Sequence, residues 1–197
     1  MTGSLIALIG TSSVGKSTVA SELQPLLSEP YLVVGIDLFL NMFPQHWRGS
    51  PRGPGEGMWY DDTTDSDGSP RARIGYGPAG ARLLAGMRTA VRAMLYCGNN
   101  VLLDEMPLDE TILPAWQNDL TGYSATWIRL HAPLEIVEAR ERQRTRGQKL
   151  GNARGHFHIT QTGDYDLEVD VSTISPSEAA AEVLTKLATL RTKSKLP

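Results

Sequence analysis

A three-layer α/β fold, a central five-stranded parallel sheet with helices on both faces, is what the sequence predicts. Three observations carry it. Gly10-Thr11-Ser12-Ser13-Val14-Gly15-Lys16-Ser17 reads G-x-x-x-x-G-K-S between an apolar run, Leu5–Ile9, and a segment that starts like a helix, Thr18–Leu23. Strand, glycine-rich turn and helix are the setting a phosphate-binding loop, or P-loop, needs. Apolar runs of strand length alternate with helical patterns along the chain, the order of βα units in a parallel sheet. Val101-Leu102-Leu103 runs into Asp104-Glu105, an apolar strand ending in acid, which is the Walker B pattern.

Composition sets the bounds. The chain has 197 residues, 41% apolar and 21% charged, and its length suits one domain, 1–197, with a substantial core. A net charge of −3 argues against a nucleic-acid-coating protein, which needs a basic face. One cysteine, Cys97, allows no intrachain disulfide and fits a reducing compartment. With neither a signal-like start nor a long apolar window, the expectation is a cytoplasmic protein without membrane or nucleic-acid partners. The oligomeric state is open, and a homo-oligomer is compatible with the sequence.

Leu5–Ile9 is apolar throughout, as a strand buried on both faces should be. In the loop that follows, glycines leave room for backbone N–H groups to surround a phosphate, and the next helix aims its free N–H groups at the same point. The expected nucleotide contacts are Gly10, Thr11, Ser12, Ser13, Val14, Gly15, Lys16, Ser17 and Thr18. Lys16 would reach the β/γ-phosphates and Ser17 would offer its hydroxyl to Mg²⁺. The helix is expected from Gly15 to Leu27, kinked or ended early at Pro25.

Tyr31–Ile36 reads as the second strand, and Asp37 follows it. Ligands of open parallel sheets bind beyond the carboxyl ends of the strands, so Asp37 would face the γ-phosphate. It suits a base that takes a proton from an acceptor hydroxyl; a metal-water ligand and an N-cap for 38–42 are the alternatives. Residues 44–78, rich in Pro and Gly, read as an acceptor-site insertion carrying a hairpin, with extended pieces at 58–61 and 71–76 and a turn at 65–69. Their aromatic residues suit a wall around an organic molecule.

Ala79–Tyr96 shows the clearest helical stripe. In the strand that follows, Asp104 would support Mg²⁺. Asp109 is expected to cap a helix to Asp119, interrupted by Pro114, and Ala125–His131 to form the fourth strand. Pro133 would open a helix at its first position and run to Thr145. The basic cluster Arg140, Arg142, Arg144, Arg146 and Lys149, followed by glycines, reads as a lid over 140–156 that neutralises a transferring phosphoryl group. Arg142 and Arg146, four apart, are the pair chosen for that role. His156 and His158 form an H-x-H pair that in an extended loop would put both rings on one side, as a metal would need, but no third metal ligand is nearby. Leu167–Ser172 is the last strand, and Ser175 with Glu178 forms a capping box for a helix to Arg191.

Taken together, Gly10–Ser17, the segment 29–37, Val101–Asp104, the arginine run 142–147 and Tyr165–Asp170 resemble the small P-loop kinases, and within them the chloramphenicol phosphotransferase-like family. The resemblance implies the P-loop kinase fold, ATP and Mg²⁺ as cofactors, Asp37 as the base, and a small-molecule hydroxyl as acceptor, with antibiotic inactivation as one outcome. A nucleotide or other metabolite kinase is the first alternative. A nucleotide-dependent switch is the second, but N-K-x-D is absent and Asp104 is followed by Glu105-Met106-Pro107.

Overall fold

A computed structural model describes residues 2–48, 55–145, 147 and 149–193. The chain runs β1 (Ser4–Ile9), α1 (Lys16–Leu23), β2 (Tyr31–Gly35), α2 (Ile36–Leu40), β3 (Met58–Thr64), β4 (Pro70–Tyr76) and α3 (Pro78–Tyr96). It continues with β5 (Asn100–Glu105), α4 (Ile112–Asp119), β6 (Ser124–His131), α5 (Leu134–Gln143), α6 (Asn152–His156), β7 (Leu167–Asp170) and α7 (Pro176–Lys193). Five strands form one parallel sheet in the order β2-β5-β1-β6-β7.

The apolar run of β1 is explained by its central place. Leu5, Ala7 and Ile9 enter a core with α3 and α4, where Met87, Val91, Leu95 and Trp116 are fully buried. Ile6 and Leu8 point the other way, into a core with Val19 and Leu23 of α1, Val137 of α5 and Val183 of α7. Strand alternation thus feeds two cores from one run, and the helices make the outer layers. No helix among the described residues is long and apolar enough to cross a membrane.

The insertion carries an antiparallel hairpin, β3–β4, pairing Met58 with Tyr76 through Thr64 with Pro70. It is longer than the two extended pieces in the sequence suggest. Several helix boundaries also moved. Past Leu23 the chain tightens to a 3₁₀ turn over Gln24–Leu26, because Pro25 lacks the N–H an α-helix would use. Pro133 is the cap of α5, not its first residue. Pro114 does not interrupt α4: it is the third residue, where a backbone N–H has no intrahelical acceptor. Asp109 precedes that helix as a turn, accepting the Thr111 N–H at 2.8 Å and the Tyr76 hydroxyl at 2.5 Å. The capping box of α7 forms as read, with the Glu178 carboxylate on the Ser175 N–H at 2.7 Å.

Candidate active site

The P-loop leaves the end of β1 at the middle of the sheet, with β5 on one side and β6 on the other. Its two glycines serve different ends. A Cβ at Gly10 would sit 2.7 Å from the Leu130 carbonyl oxygen, so only glycine lets the loop lie this close to β6. Gly15 has open space around it but takes φ +109°, a left-handed conformation that turns the chain into α1. Ser13 shares that handedness, with φ 61°, so the loop is wound for a ligand that draws its N–H groups inward.

A cleft of about 840 Å³ opens above the loop. Ser12, Ser13, Val14, Gly15, Lys16, Ser17 and Thr18 line it, with Asp37 and Asp104. Gly10 and Thr11 lie beneath the lining. Lys16 is buried, and its ammonium donates to the Thr11 carbonyl at 2.9 Å with Asp104 Oδ1 4.0 Å away. Burial lowers the Lys16 pKa, while Asp104, Glu105 and Asp37 push it back up. Ser17 Oγ donates to Asp104 Oδ2 at 2.5 Å. Two hard oxygen donors are therefore already adjacent, which fits the site to Mg²⁺.

Asp37 stands in the first turn of α2 and is exposed to the cleft. It is not the cap of that helix, which is Gly35. β2 approaches β5 so closely that a Cβ at Gly35 would lie 3.1 Å from the Asp104 carbonyl oxygen. That contact brings Asp37 and Asp104 to the same edge. Tyr60 and Ile74 of the hairpin, Ile36, Leu40 and Met106 close this side of the cleft. The phenol of Tyr60 is raised by burial and, next, by Asp37, with Arg144 opposing. Lys16, Asp37, Tyr60 and Arg144 line the same cleft, and Asp37 and Arg144 act on both Lys16 and Tyr60.

The other side of the cleft is formed past β6 and β7 by Arg140, Val171, Ile174, Pro176 and Ala179. Arg140 donates to the carbonyls of Val14 at 3.2 Å and Val171 at 2.6 Å, tying the P-loop to the far wall. Among the described residues the arginines that line the cleft are Arg140 and Arg144; Arg142 is exposed and away from the lining, and Arg146 lies outside the described residues. Helical geometry gives the reason. The buried residue Val137 marks the inner face of α5, and at about 100° per residue Arg144 would fall about 20° from it and Arg142 about 140°. The sequence did carry this signal, in the position of Val137 rather than in the density of arginine. The H-x-H pair is not extended either. His156 ends α6 and His158 begins a 3₁₀ turn, and no cluster of three metal-binding side chains exists among the described residues.

Glu105 lies behind the cleft, 1% exposed, with neither carboxylate oxygen hydrogen-bonded. Burial pushes its pKa up to about 7, against the pull of Lys16; the Trp116 indole also lowers it, though it falls outside hydrogen-bond geometry. A raised acid holds its proton in the folded state when the unfolded chain has lost it. Its stabilising contribution is therefore complete below pH 4.5 and is lost as pH rises through about 7. In the nucleotide-free protein, Glu105→Gln should abolish a loss of stability on the order of 3 kcal/mol between pH 5 and 8. Thermal melts across that window check it; equal slopes for both proteins would refute it.

Comparison with known proteins agrees with this geometry. A Mycobacterium tuberculosis protein with the provisional name O-phosphotransferase is 28% identical over 184 residues, covering 92% of this chain and 80% of its own. Among solved structures, a sugar kinase from Janibacter sp. HTCC2649 is similar at TM-score 0.63 and 15% identity, covering 94% of this chain and 95% of that one. The Mycobacterium tuberculosis APS kinase bound to AMPPNP and APS is similar at TM-score 0.59 and 18% identity, covering 95% and 98%. The fold is that of the P-loop kinases, the enzyme is a small-molecule kinase, and the chain belongs to the chloramphenicol phosphotransferase-like family, whose model matches residues 3–188.

Proposed function

We propose that the protein transfers the γ-phosphoryl group of ATP to a hydroxyl of a small organic molecule, with Asp37 as the general base. The observation that carries this reading is the convergence of Lys16, Asp37, Tyr60 and Arg144 on one cleft above the P-loop. ATP lies with its phosphates on Gly10–Thr18 and its base toward Val171, Ile174 and Pro176. The acceptor lies between Asp37 and the Tyr60–Ile74 wall. As the acceptor oxygen bonds to phosphorus, its proton passes to Asp37 and the β–γ bridging P–O bond breaks, leaving ADP. Lys16 and Arg144 neutralise charge on the transferring group. Ser17 and Asp104 would hold Mg²⁺, which would supply further neutralisation of the phosphate oxygens. The apolar residues beside Asp37 keep water from competing with the acceptor.

The family resemblance makes a hydroxylated antibiotic one acceptor class to test. ATP consumption is measured with and without hydroxylated antibiotics, nucleosides and sugars, and products are read by mass spectrometry. Transfer to at least one panel member, with little hydrolysis in its absence, is expected. Fast hydrolysis without acceptor and no phosphorylated product would overturn the reading.

A further inference from the structure

The hairpin and the segment after α5 are separate motifs in the sequence, yet the structure joins them through α6. β4 turns its unpaired edge to α6: the Ala72 N–H donates to the Gly151 carbonyl at 2.9 Å. A Cβ at Gly155 would lie 1.8 Å from the Ala72 carbonyl oxygen, so the backbones touch where only glycine fits. At the outer end, Arg154 pairs with Asp65 at 3.3 Å and Asp67 at 3.0 Å in the hairpin turn, and with Glu138 of α5 at 2.5 Å.

At the inner end stands His156, 0% exposed. Its Nδ1–H donates to the Asn152 carbonyl at 3.0 Å, and the Ile74 N–H donates to its Nε2 at 3.2 Å. Both bonds are met only by the neutral ring with its proton on Nδ1. Toward the nucleotide, α6 is fixed to the P-loop, where Thr11 Oγ1 donates to the Ala153 carbonyl at 2.8 Å. It is also fixed to α5, where Glu141 accepts the N–H groups of Gly151 at 2.7 Å and Ala153 at 2.8 Å. Ile74 is the register partner of Tyr60, and both line the acceptor side of the cleft. A five-residue helix therefore sets the spacing between the phosphate loop and the acceptor wall.

We propose that His156 is a positioning residue for phosphoryl transfer, holding β4, and with it Ile74 and Tyr60, at a fixed place relative to the phosphate loop. This rests on the kinase reading above. The ring does not line the cleft; it acts through the backbone of β4, by its bond to Ile74. The charged groups that act on it most strongly are cations, Arg73 and Arg71 from β4 and Lys16 at the start of α1, while the hydrogen bond to Asn152 opposes them. Burial first, and these cations next, hold its pKa below the ordinary histidine range. The neutral acceptor form therefore persists through neutral pH. Protonation at lower pH sets a second N–H against that of Ile74 and opens the latch.

Kinetics of the wild type, His156→Leu and His156→Gln test this, since a glutamine side-chain oxygen can replace Nε2 as acceptor. His156→Leu should raise the acceptor KM about tenfold and leave the ATP KM within about twofold; His156→Gln should recover most of the loss. Because the His156 pKa is depressed, the wild-type acceptor KM should rise only on acidification below the ordinary histidine range, and that of His156→Gln should stay flat there. An unchanged acceptor KM in His156→Leu, or an equal rise in both KM values, would overturn the proposal. If the leucine protein does not fold, the glutamine protein decides: an acid limb identical to wild type overturns it. A wild type that phosphorylates no acceptor sinks the kinase reading itself, an outcome distinct from transfer that His156 does not influence.

Discussion

Asp37→Asn is expected to lower kcat by about 10²–10⁴, the usual worth of a positioned general base. ATP affinity should stay within about threefold, because the P-loop contacts are untouched. The substitution is isosteric, and the amide cannot take the proton that the acceptor oxygen must lose. Asp37 caps no helix with its side chain, so no large loss of stability should confuse the result. Single-turnover transfer together with ATP titration checks the prediction. The metal-water role gives a different signature: a higher Mg²⁺ requirement, with kcat recovered at saturating Mg²⁺. Transfer near the wild-type rate at ordinary Mg²⁺ would remove Asp37 from the mechanism altogether.

The donor half of this site was legible because its geometry is local. Residues 10–18 lie on one turn, and the turn is constrained by backbone conformation; Gly15 at φ +109° leaves a mark in the sequence that needs no tertiary information. Asp104 was legible for a related reason, since an apolar strand that ends in acid places that acid at the sheet edge. The order of the strands, β2-β5-β1-β6-β7, leaves no such local mark in the sequence. Asp37 required one further step, the closeness of β2 to β5, which the glycine before it permits.

The acceptor half was less legible because it is built from contacts distant in sequence. Tyr60 sits in the cleft through its pairing with Ile74 across the hairpin, and Ile74 is held by His156, 82 positions away. The sequence shows the aromatic residues of 44–78 but not which of them face inward. Glu141 was obscured by the arginines around it. Its burial is explained only when α6 supplies two N–H groups to its carboxylate. The spacing of His156 and His158 fits an extended segment as well as a turn, and the helical turn that separates them is imposed by the docking of α6 on β4.

The choice between lid arginines gives the second large effect. Arg144→Ala should reduce kcat by about 10²–10³, equivalent to about 3–4 kcal/mol of transition-state stabilisation. Arginines that neutralise transferring phosphoryl groups reach about 10³–10⁵ when fully enclosed. Arg144 is an exposed residue at the end of α5, and the lower range follows from its remaining contact with water. The ATP KM should rise only a few-fold, since the charge it meets grows as the phosphoryl group leaves ADP. Arg142→Ala, on the opposite face of the same helix turn, should keep kcat within about twofold. Both proteins lose one positive charge from one segment, so a general electrostatic effect of the basic cluster would lower both rates alike. Steady-state kinetics at two salt concentrations separate the cases: a deficit specific to Arg144 and insensitive to salt identifies a directed contact. Equal deficits that vanish at high salt would show that Arg142 and Arg144 act only through their field, and that neither touches the reacting phosphate.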